Sequence, residues 1–175
     1  MIFLSKMNKE DLQLIMKWKE DKIYLNTKHK LTTTFQKEWF YNIEKDDKCK
    51  YWMINSGFIK IGIANINHID MEENSCCLEC IIEDRHFRER GITQIVMFNL
   101  FEYAFDKINM NSIYITFEKN KRTLDTDEFM STIVKDNKAL FNKIIDIFDH
   151  KFICIKKEDW QLFSKKYLLE KIEID

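Results

Sequence analysis

The sequence predicts one α/β (α+β) domain, residues 1–175, in which helices flank a central mixed sheet. Its 175 residues are the length of a single domain with a sizeable core. Hydrophobic residues make up 45% of the chain and aromatic residues 14%, which excludes a disordered protein. Stretches with helical period also alternate with β-branched and aromatic stretches along the chain, as in folds that pack helices on a sheet.

In the first half of the chain, each predicted element begins or ends at a polar residue, a glycine or a change of period. The elements are a strand at Met1–Ser5, a helix at Lys9–Glu20 with Asn8 as its N-cap, a loop at Tyr24–Thr33, a helix that Thr34 caps, and strands at Lys50–Asn55, Phe58–Ile69 and Asn74–Glu83. Ser56 and Gly57 form the turn of a hairpin. The stretch Ser75–Ile82 is apolar on both faces, as in the middle of a sheet.

In the second half, Gly91–Ile108 is the clearest helix, because apolar residues recur on one broad face. β-branched and aromatic residues predict a strand at Ser112–Glu118. A polar stretch then leads into a helical pattern from about Glu128 to Phe148. Two strands, Phe152–Lys156 and Leu162–Leu169, are expected to close the chain.

The charges and the apolar runs bear on partners and location. The chain has 28 basic and 29 acidic residues, a net charge of −1 that gives no field to hold a polyanion, so we expect no nucleic-acid partner. The apolar stretch Met1–Leu4 is too short for a signal sequence. No apolar run approaches the ~18 to 20 residues that a membrane helix needs. We therefore expect a cytoplasmic protein with no membrane association.

The cysteines and histidines predict no metal site. Five cysteines, an odd number, favour reduced thiols in a reducing compartment. Cys77 and Cys80 form a CxxC, but residues three apart on a strand point to opposite faces and cannot share one ion. The four histidines are scattered along the chain. We interpret these cysteines as core residues.

The segment that carries chemistry joins the central strand to the clearest helix. Within it, Arg88-Glu89-Arg90-Gly91-Ile92-Thr93 stands where the helix begins. A helix N-terminus exposes unpaired N–H groups and the positive end of the helix dipole, which together favour phosphate. Gly91 lets a ligand approach the backbone closely, and Arg85, Arg88 and Arg90 add positive charge. The segment is a candidate pyrophosphate site; an ordinary basic loop that caps a helix is the alternative.

The same segment resembles the acetyl-coenzyme-A signature of the GNAT acetyltransferase superfamily. Arg88, Gly91 and Thr93 stand at the marked positions of its Arg-x-x-Gly-x-(Gly/Ala) loop, with threonine in place of the usual last glycine or alanine. The predicted order of elements is similar to that fold over nearly the whole chain. The resemblance implies a GNAT-like, mostly antiparallel sheet that is splayed at its middle. It also implies acetyl-CoA as co-substrate, with no metal.

The resemblance further implies roles for individual residues. Cys80, Ile81 and Ile82 would bind the pantetheine arm and the acetyl carbonyl through their backbone, whose N–H groups would also stabilise an oxyanion. Residues Arg88 through Thr93 would hold the pyrophosphate; these are Arg88, Glu89, Arg90, Gly91, Ile92 and Thr93. Asn120 lies in a stretch that resembles the family's Asn-x-x-Ala run and is a further candidate cofactor contact.

Acetyl transfer needs a neutral amine, so a carboxylate near the amine can take up its proton. Glu79 is the candidate base, because it is the one charged residue in an otherwise apolar strand, where burial would tune a carboxylate for this task. A structural glutamate, paired with a nearby lysine or lying at a sheet edge, is the alternative. Glu83 and His68 are weaker candidates.

The proton donor for the leaving thiolate departs from the family pattern. In the family a tyrosine on the helix after the strand Ser112–Glu118 commonly serves this role, and the matching position here holds Asp127. No tyrosine occurs between Tyr114 and Tyr167. Three explanations stay open: another group or water is the acid, turnover is slow, or the domain binds without catalysing.

Further stretches narrow the resemblance. LQLIMKWKED, TFQKEWF, YWMI and IKIGIANINHID are similar to bacterial amino-sugar N-acetyltransferases, of the type that acetylates a nucleotide-linked amino sugar in pseudaminic acid biosynthesis. Spermidine and ribosomal-protein N-terminal acetyltransferases share much of this pattern. We expect acetylation of a primary amine on a small molecule. An amino sugar is favoured over a polyamine, since Asp70, Glu72 and Glu73 are the only compact acidic group near the sheet.

Two alternative functions stay open beside this one. The first is acetylation of a protein N-terminus or lysine, and the second is a non-catalytic acyl-CoA-binding module. A homodimer is left open as well.

Overall fold

A computed structural model describes residues 1–23, 33–88, 90–118, 144–147, 150–165 and 170–175. Within these ranges, seven strands form one sheet in the order β1-β2-β3-β4-β5-β7-β6. The strands are β1 (Ile2–Lys6), β2 (Lys50–Ser56), β3 (Ile59–Asp70), β4 (Ser75–Ile82), β5 (Ser112–Glu118), β6 (Ile144–Ile147) and β7 (His150–Lys156). Every neighbouring pair is antiparallel except β4 and β5, which run parallel.

Helices cover both faces of this sheet. They are α1 (Asp11–Ile23), α2 (Thr33–Lys45), α3 (Ile92–Glu102) and α4 (Lys157–Ser164), with a 3₁₀ turn at Arg85–Phe87 and a π-helical turn at Tyr103–Lys107. No helix in the described ranges has the length and apolarity that a membrane crossing requires. The fold is therefore the mixed, helix-flanked sheet that the sequence predicts.

The larger core lies between the sheet and α3. Strand β4 alternates strictly: Cys76, Leu78, Cys80 and Ile82 are buried, while the residues between them are half-buried or exposed. The buried set packs against Val96, Leu100 and other apolar residues of α3. Trp160 of α4 stacks on Phe101 with ring centroids 4.6 Å apart and closes the core. Alternation of this kind fixes which face each β4 side chain occupies.

The opposite face of the sheet packs against α1 and α2. Met53 of β2 is fully buried there with Ile15 of α1 and Phe40 of α2. Asn8 caps α1 as predicted, since its Oδ1 accepts from the Glu10 N–H at 2.9 Å, and Asp11 Oδ2 accepts from the Asn8 N–H at 2.9 Å. These contacts hold the two helices over β2 and β3.

The sheet opens between its two parallel strands. Residues Ser75–Leu78 of β4 pair with Ser112–Ile115 of β5, and the pairing ends at Leu78 and Ile115. Beyond this point β5 continues beside β7 as far as Glu118, and β4 continues beside β3 as far as Ile82. The two strands therefore diverge, and the prediction of a sheet splayed at its middle is confirmed.

Two predictions about the C-terminal third are wrong. The predicted strand Leu162–Leu169 overlaps α4, in which Trp160 and Phe163 are buried three residues apart on one helical face. Glu158 and Asp159 in the first turn of α4 are the signal for a helix N-terminus. Within the predicted helix Glu128–Phe148, Ile144–Ile147 is the strand β6, because its isoleucines pair with β7. The rest of that stretch, the loop at 24–32 and residues 166–169 lie outside the described residues.

Candidate functional site

A short turn connects the open end of β4 to α3. The N–H groups of Glu83 and Asp84 both donate to the Ile61 carbonyl of β3, at 2.9 and 3.0 Å, which ends the strand. Asp84 then accepts from the His86 N–H at 2.9 Å and caps the 3₁₀ turn. The chain thus leaves the sheet and enters α3 within nine residues, Glu83–Gly91.

The guanidinium of Arg88 fastens this turn to β4. Its Nε donates to the Ile82 carbonyl at 3.0 Å, and its Nη2 donates to the Glu83 carbonyl at 3.2 Å. The predicted phosphate ligand Arg88 therefore also fixes the shape of the loop.

The N-terminus of α3 presents its backbone N–H groups. Gly91 adopts φ 72°, in the left-handed region, and no side chain among the described residues caps the helix. The N–H groups of Ile92, Thr93 and Gln94 have no protein acceptor among the described residues, because the helical bonds begin when the Ile95 N–H donates to the Gly91 carbonyl. A Cβ on Gly91 would meet nothing nearer than Gln94 Oε1 at 3.7 Å. The backbone here favours glycine, and the space beside it is open.

The side chains of the predicted loop residues point in different directions. Ile92 and Thr93 are buried, at 6% and 7% exposure, so only their backbone can meet a ligand. Arg90 is exposed, and its guanidinium lies 5.4 Å from the centre of the Phe87 ring. Glu89 and Asn120, two further predicted cofactor contacts, lie outside the described residues.

The flank of β4 that faces the opening offers a second stretch of backbone. Cys80 and Ile82 are buried on the α3 face and Ile81 is half-buried on the other, so predicted contacts at these residues run through the backbone. At Gly62, the neighbouring strand β3 comes unusually close to the backbone of Ile81 and Ile82. A Cβ on Gly62 would lie 3.1 Å from the carbonyl carbon of Ile81 and from the Cα of Ile82, and closer still to the Ile81 oxygen. Gly62 sets the position of this strand.

Glu79 is exposed, and the expectation that it is buried is wrong. The residue is the first on β4 after pairing with β5 ends, and its side chain lies on the face that α1 and α2 cover. Strand alternation places it there, on the polar side of a strand whose other face is the core. The amide of Asn65 donates to Glu79 Oε2 at 2.9 Å. Of the weaker candidates, Glu83 lies where β4 ends, and His68 is exposed at the far end of β3.

A polar row, Tyr51–Asn65–Glu79, crosses three neighbouring strands, and the sequence analysis did not find it. Strand register sets these residues side by side on β2, β3 and β4. Burial raises the pKa of Tyr51 to about 12, with Cys49, Glu79 and Asp46 adding to the effect. Tyr51 also lines a cavity of about 400 Å³ between α2 and the sheet, together with Phe40 and Ile43. One end of the row, Tyr51, therefore lies at this cavity.

The CxxC cysteines lie on opposite faces, as predicted. Cys80 is buried on the α3 face, and Cys77 is half-buried beside Glu79, where burial raises the pKa of its thiol. Cys77 pairs in register with Tyr114 of β5, whose pKa is raised by burial and by Cys154. Among the described residues, no group of three or more His, Cys, Asp or Glu side chains is placed to hold a metal ion.

Comparison with known families decides the identity of this arrangement. A family model for the acetyltransferase (GNAT) domain matches residues 2–142. The chain belongs to the GNAT acetyltransferase family. The predicted family, fold and enzyme class are therefore confirmed. We found no significantly similar sequence among curated proteins.

Solved GNAT structures share this fold at low sequence identity. The Vibrio cholerae spermidine N-acetyltransferase in complex with CoA and spermine has a TM-score of 0.70 and 13% identity, and the match covers 91% of this chain and 98% of that one. A dodecameric structure of the same enzyme scores 0.71 at 14% identity, covering 93% and 98%. The Campylobacter jejuni N-acetyltransferase PseH in complex with acetyl coenzyme A scores 0.62 at 19% identity, covering 90% and 99%.

Proposed function

We propose that this GNAT chain transfers the acetyl group of acetyl-CoA to a primary amine of a small molecule. One observation carries the proposal: the uncapped N-terminus of α3 and the open flank of β4 meet in one place. The N–H groups of Ile92, Thr93 and Gln94 fit a diphosphate, and the backbone of Cys80–Ile82 fits the extended arm that follows it. The two crystal structures that contain CoA or acetyl-CoA support this fit.

In this proposal the residues of the chain bind acetyl-CoA, orient the amine and remove its proton. Arg88 through Thr93, with Glu89 among them, hold the diphosphate, and Asn120 is a further contact. Acetyl-CoA supplies the reactive thioester. The amine nitrogen bonds to the acetyl carbon while the carbon–sulfur bond breaks, and Glu79 takes the amine proton directly or through a water. Backbone N–H groups of β4 stabilise the charge that develops on the carbonyl oxygen. The thiolate is protonated from solvent, since coenzyme A is a fair leaving group.

We infer an amino sugar, free or linked to a nucleotide, as the amine, ahead of a polyamine. The described side chains beside Glu79 are neutral and hydrogen-bonding, namely Asn65 and Tyr51, and suit a ligand with one amine and several hydroxyls. The acidic group that a polyamine would need is Asp70, Glu72 and Glu73, and its Asp70 carboxylate already stabilises a turn. Asp70 Oδ1 accepts from the N–H groups of Glu72 and Glu73 at 2.9 and 3.0 Å.

We also propose that residues 1–175 form one domain in the cytoplasm. Strands β6 and β7 belong to the same sheet as β1–β5, and the C-terminal Ile174 pairs with Leu4 of β1. All five cysteines are free thiols, which suits a reducing compartment.

The cofactor site is tested by Gly91→Trp. An indole at this position fills the open space beside the helix N-terminus, so acetyl-CoA binding should be lost while the fold is retained. Gly57→Trp is the matched control: Gly57 also has a positive φ of 60°, and it lies in an exposed turn with no atom within 4 Å of its Cβ position. Both variants carry the same backbone strain. Equal acetyl-CoA affinity in the two variants by calorimetry removes the diphosphate assignment.

The reaction is tested by thiol release from acetyl-CoA with a panel of amines. The panel contains glucosamine, a nucleotide-linked amino sugar, spermidine and a short peptide with a free N-terminus and a lysine. We expect the highest kcat/KM with an amino sugar. Preference for the peptide supports a protein acetyltransferase instead. Acetyl-CoA binding without turnover on any amine supports a binding module.

A further inference from the structure

Three side chains on the face under α1 and α2 form a chain of directed hydrogen bonds. Asn67 Nδ2 donates to Asn65 Oδ1 at 2.8 Å, and Asn65 Nδ2 donates to Glu79 Oε2 at 2.9 Å. Asn65 is buried, at 5% exposure, whereas Glu79 is exposed. These hydrogen bonds therefore join the buried amide of Asn65 to an exposed carboxylate, and each bond strengthens the next.

The donor-to-acceptor direction of these hydrogen bonds determines which group of the Asn65 amide faces Glu79. Because Asn65 Oδ1 accepts from Asn67, the Asn65 amide cannot rotate without losing that bond, and its Nδ2 stays turned toward Glu79. Among the described residues, Asn65 is the one hydrogen-bond partner of the Glu79 carboxylate. One carboxylate oxygen, Oε2, is thus held at the Asn65 amide. An exposed glutamate without such a bond samples several rotamers.

Stability does not account for this arrangement. Asn67 Oδ1 is buried and has no hydrogen-bond partner among the described residues, which lowers the stability of the fold. Asn65 is itself a polar side chain with only 5% exposure, on the same face of β3 as Ile63, which packs against the cluster that contains Met53. Polar side chains that are retained at such a cost need a functional reason.

We propose that Asn65, oriented by Asn67, positions the Glu79 carboxylate for the amine whose proton it removes. The inference rests on the proposed function and deepens it. Asn65 and Asn67 are positioning residues that touch neither amine nor thioester. They act through Glu79, which lies where β4 separates from β5. Loss of the Asn65 amide frees the carboxylate to turn away from the amine, and a displacement of about 1 Å at a reacting group can reduce the rate about 100-fold.

The test is a double-mutant cycle between Asn65→Leu and Glu79→Gln, measured by thiol release with the best amine of the panel. Asn65→Leu should lower kcat roughly 10- to 100-fold and leave the dissociation constant of acetyl-CoA unchanged. In the Glu79→Gln background the same substitution should have no further effect, because the group that Asn65 positions is gone. Independent, multiplicative losses in the double variant would overturn the proposal.

Asn55→Leu is the matched control. Asn55 is equally buried, at 4% exposure, and its Nδ2 donates to Ser5 Oγ at 2.9 Å and to the Met53 carbonyl at 3.0 Å, away from Glu79. This variant should lose stability while keeping the kcat of the native chain. If Asn65→Leu lowers kcat no more than Asn55→Leu, the role of Asn65 is structural and the inference fails.

Asn67→Asp tests the direction of the chain without a change of size, and it serves if Asn65→Leu does not fold. A carboxylate at this position accepts rather than donates, so the Asn65 amide should flip and turn its oxygen toward Glu79. We expect kcat to fall, again only when Glu79 is present; an unchanged kcat contradicts the inference. Absence of turnover by the native chain on every amine overturns the proposed function and the inference together, whereas native turnover with inert Asn65 and Asn67 overturns the inference alone.

Discussion

Replacement of Gly62 by alanine should disturb both stability and cofactor binding. The added Cβ would lie within 3.1 Å of two backbone atoms of β4, the Ile81 carbonyl carbon and the Ile82 Cα, and nearer still to the Ile81 oxygen. Backbone atoms of a paired strand cannot rotate away as a side chain can, so β3 and β4 must separate. Overpacking of this kind typically costs about 1–3 kcal/mol. For a chain of this size we expect the melting temperature to fall by roughly 2–12 °C.

Gly57→Ala separates this clash from the ordinary cost of losing a glycine. Gly57 has a positive φ of 60° and nothing within 4 Å of its Cβ position, so alanine there costs only backbone strain, about 1 kcal/mol. Urea denaturation should rank Gly62→Ala below Gly57→Ala, and calorimetry should show weaker acetyl-CoA binding in Gly62→Ala alone. The reasoning is refuted if both variants are equally stable, or if Gly62→Ala binds acetyl-CoA like the native chain.

Two further predictions concern the loop and an isolated thiol. Arg88→Met removes the hydrogen bonds to the Ile82 and Glu83 carbonyls, and a charged hydrogen bond is worth about 1.5–3 kcal/mol. Acetyl-CoA should therefore bind roughly 10-fold more weakly to this variant than to Arg85→Met, the control that removes an exposed charge from the same turn. Equal affinities of the two variants would show that only charge matters. Burial, with help from Asp46, raises the pKa of Cys49 from 9.0 to about 11, so the thiol stays protonated until the pH approaches 11. At pH 8 the alkylation of Cys49 by iodoacetamide, followed by peptide mass spectrometry, should be roughly 100-fold slower than that of a free cysteine. The Asp46→Asn substitution should accelerate it. Alkylation at the rate of a free cysteine would show that the pKa of Cys49 is not raised.

The local geometry of the proposed cofactor site could be predicted from the sequence because the residues that determine it are contiguous. Arg88 and Gly91 stand between a strand and a helix, and glycine is so rare in this chain that its position is informative. Local chemistry is enough there: a positive φ at Gly91 and free N–H groups after it follow from the start of a helix. The splayed sheet, by contrast, came from resemblance, since no local pattern shows where two distant strands stop pairing.

The proposed amine half of the site could not be predicted because it depends on the register between strands. Asn65 and Glu79 are far apart in sequence, and they meet only because β3 and β4 pair with these residues opposite each other. The same gap explains the error over Glu79. An apolar strand predicts burial for every residue in it, but the side of β4 away from α3 is covered only partly, so Glu79 is exposed. In the sequence, the one sign of polar residues beside Glu79 was the alternation of two asparagines, Asn65 and Asn67, along the predicted strand.

Thr93 shows why the two halves of the site tolerate change differently. The GNAT signature usually has glycine or alanine at this position, yet the threonine side chain is 7% exposed and points into the core beneath α3. Its N–H group remains at the helix start whatever the side chain, so the departure from the signature leaves the proposed diphosphate site intact. Most of the cofactor half is backbone in this sense, and glycines are the positions where substitution harms it. The amine half consists of side chains from β2, β3 and β4. Substitutions there should change which amine is acetylated while acetyl-CoA binds as before, so a GNAT chain can change its amine without rebuilding its cofactor site.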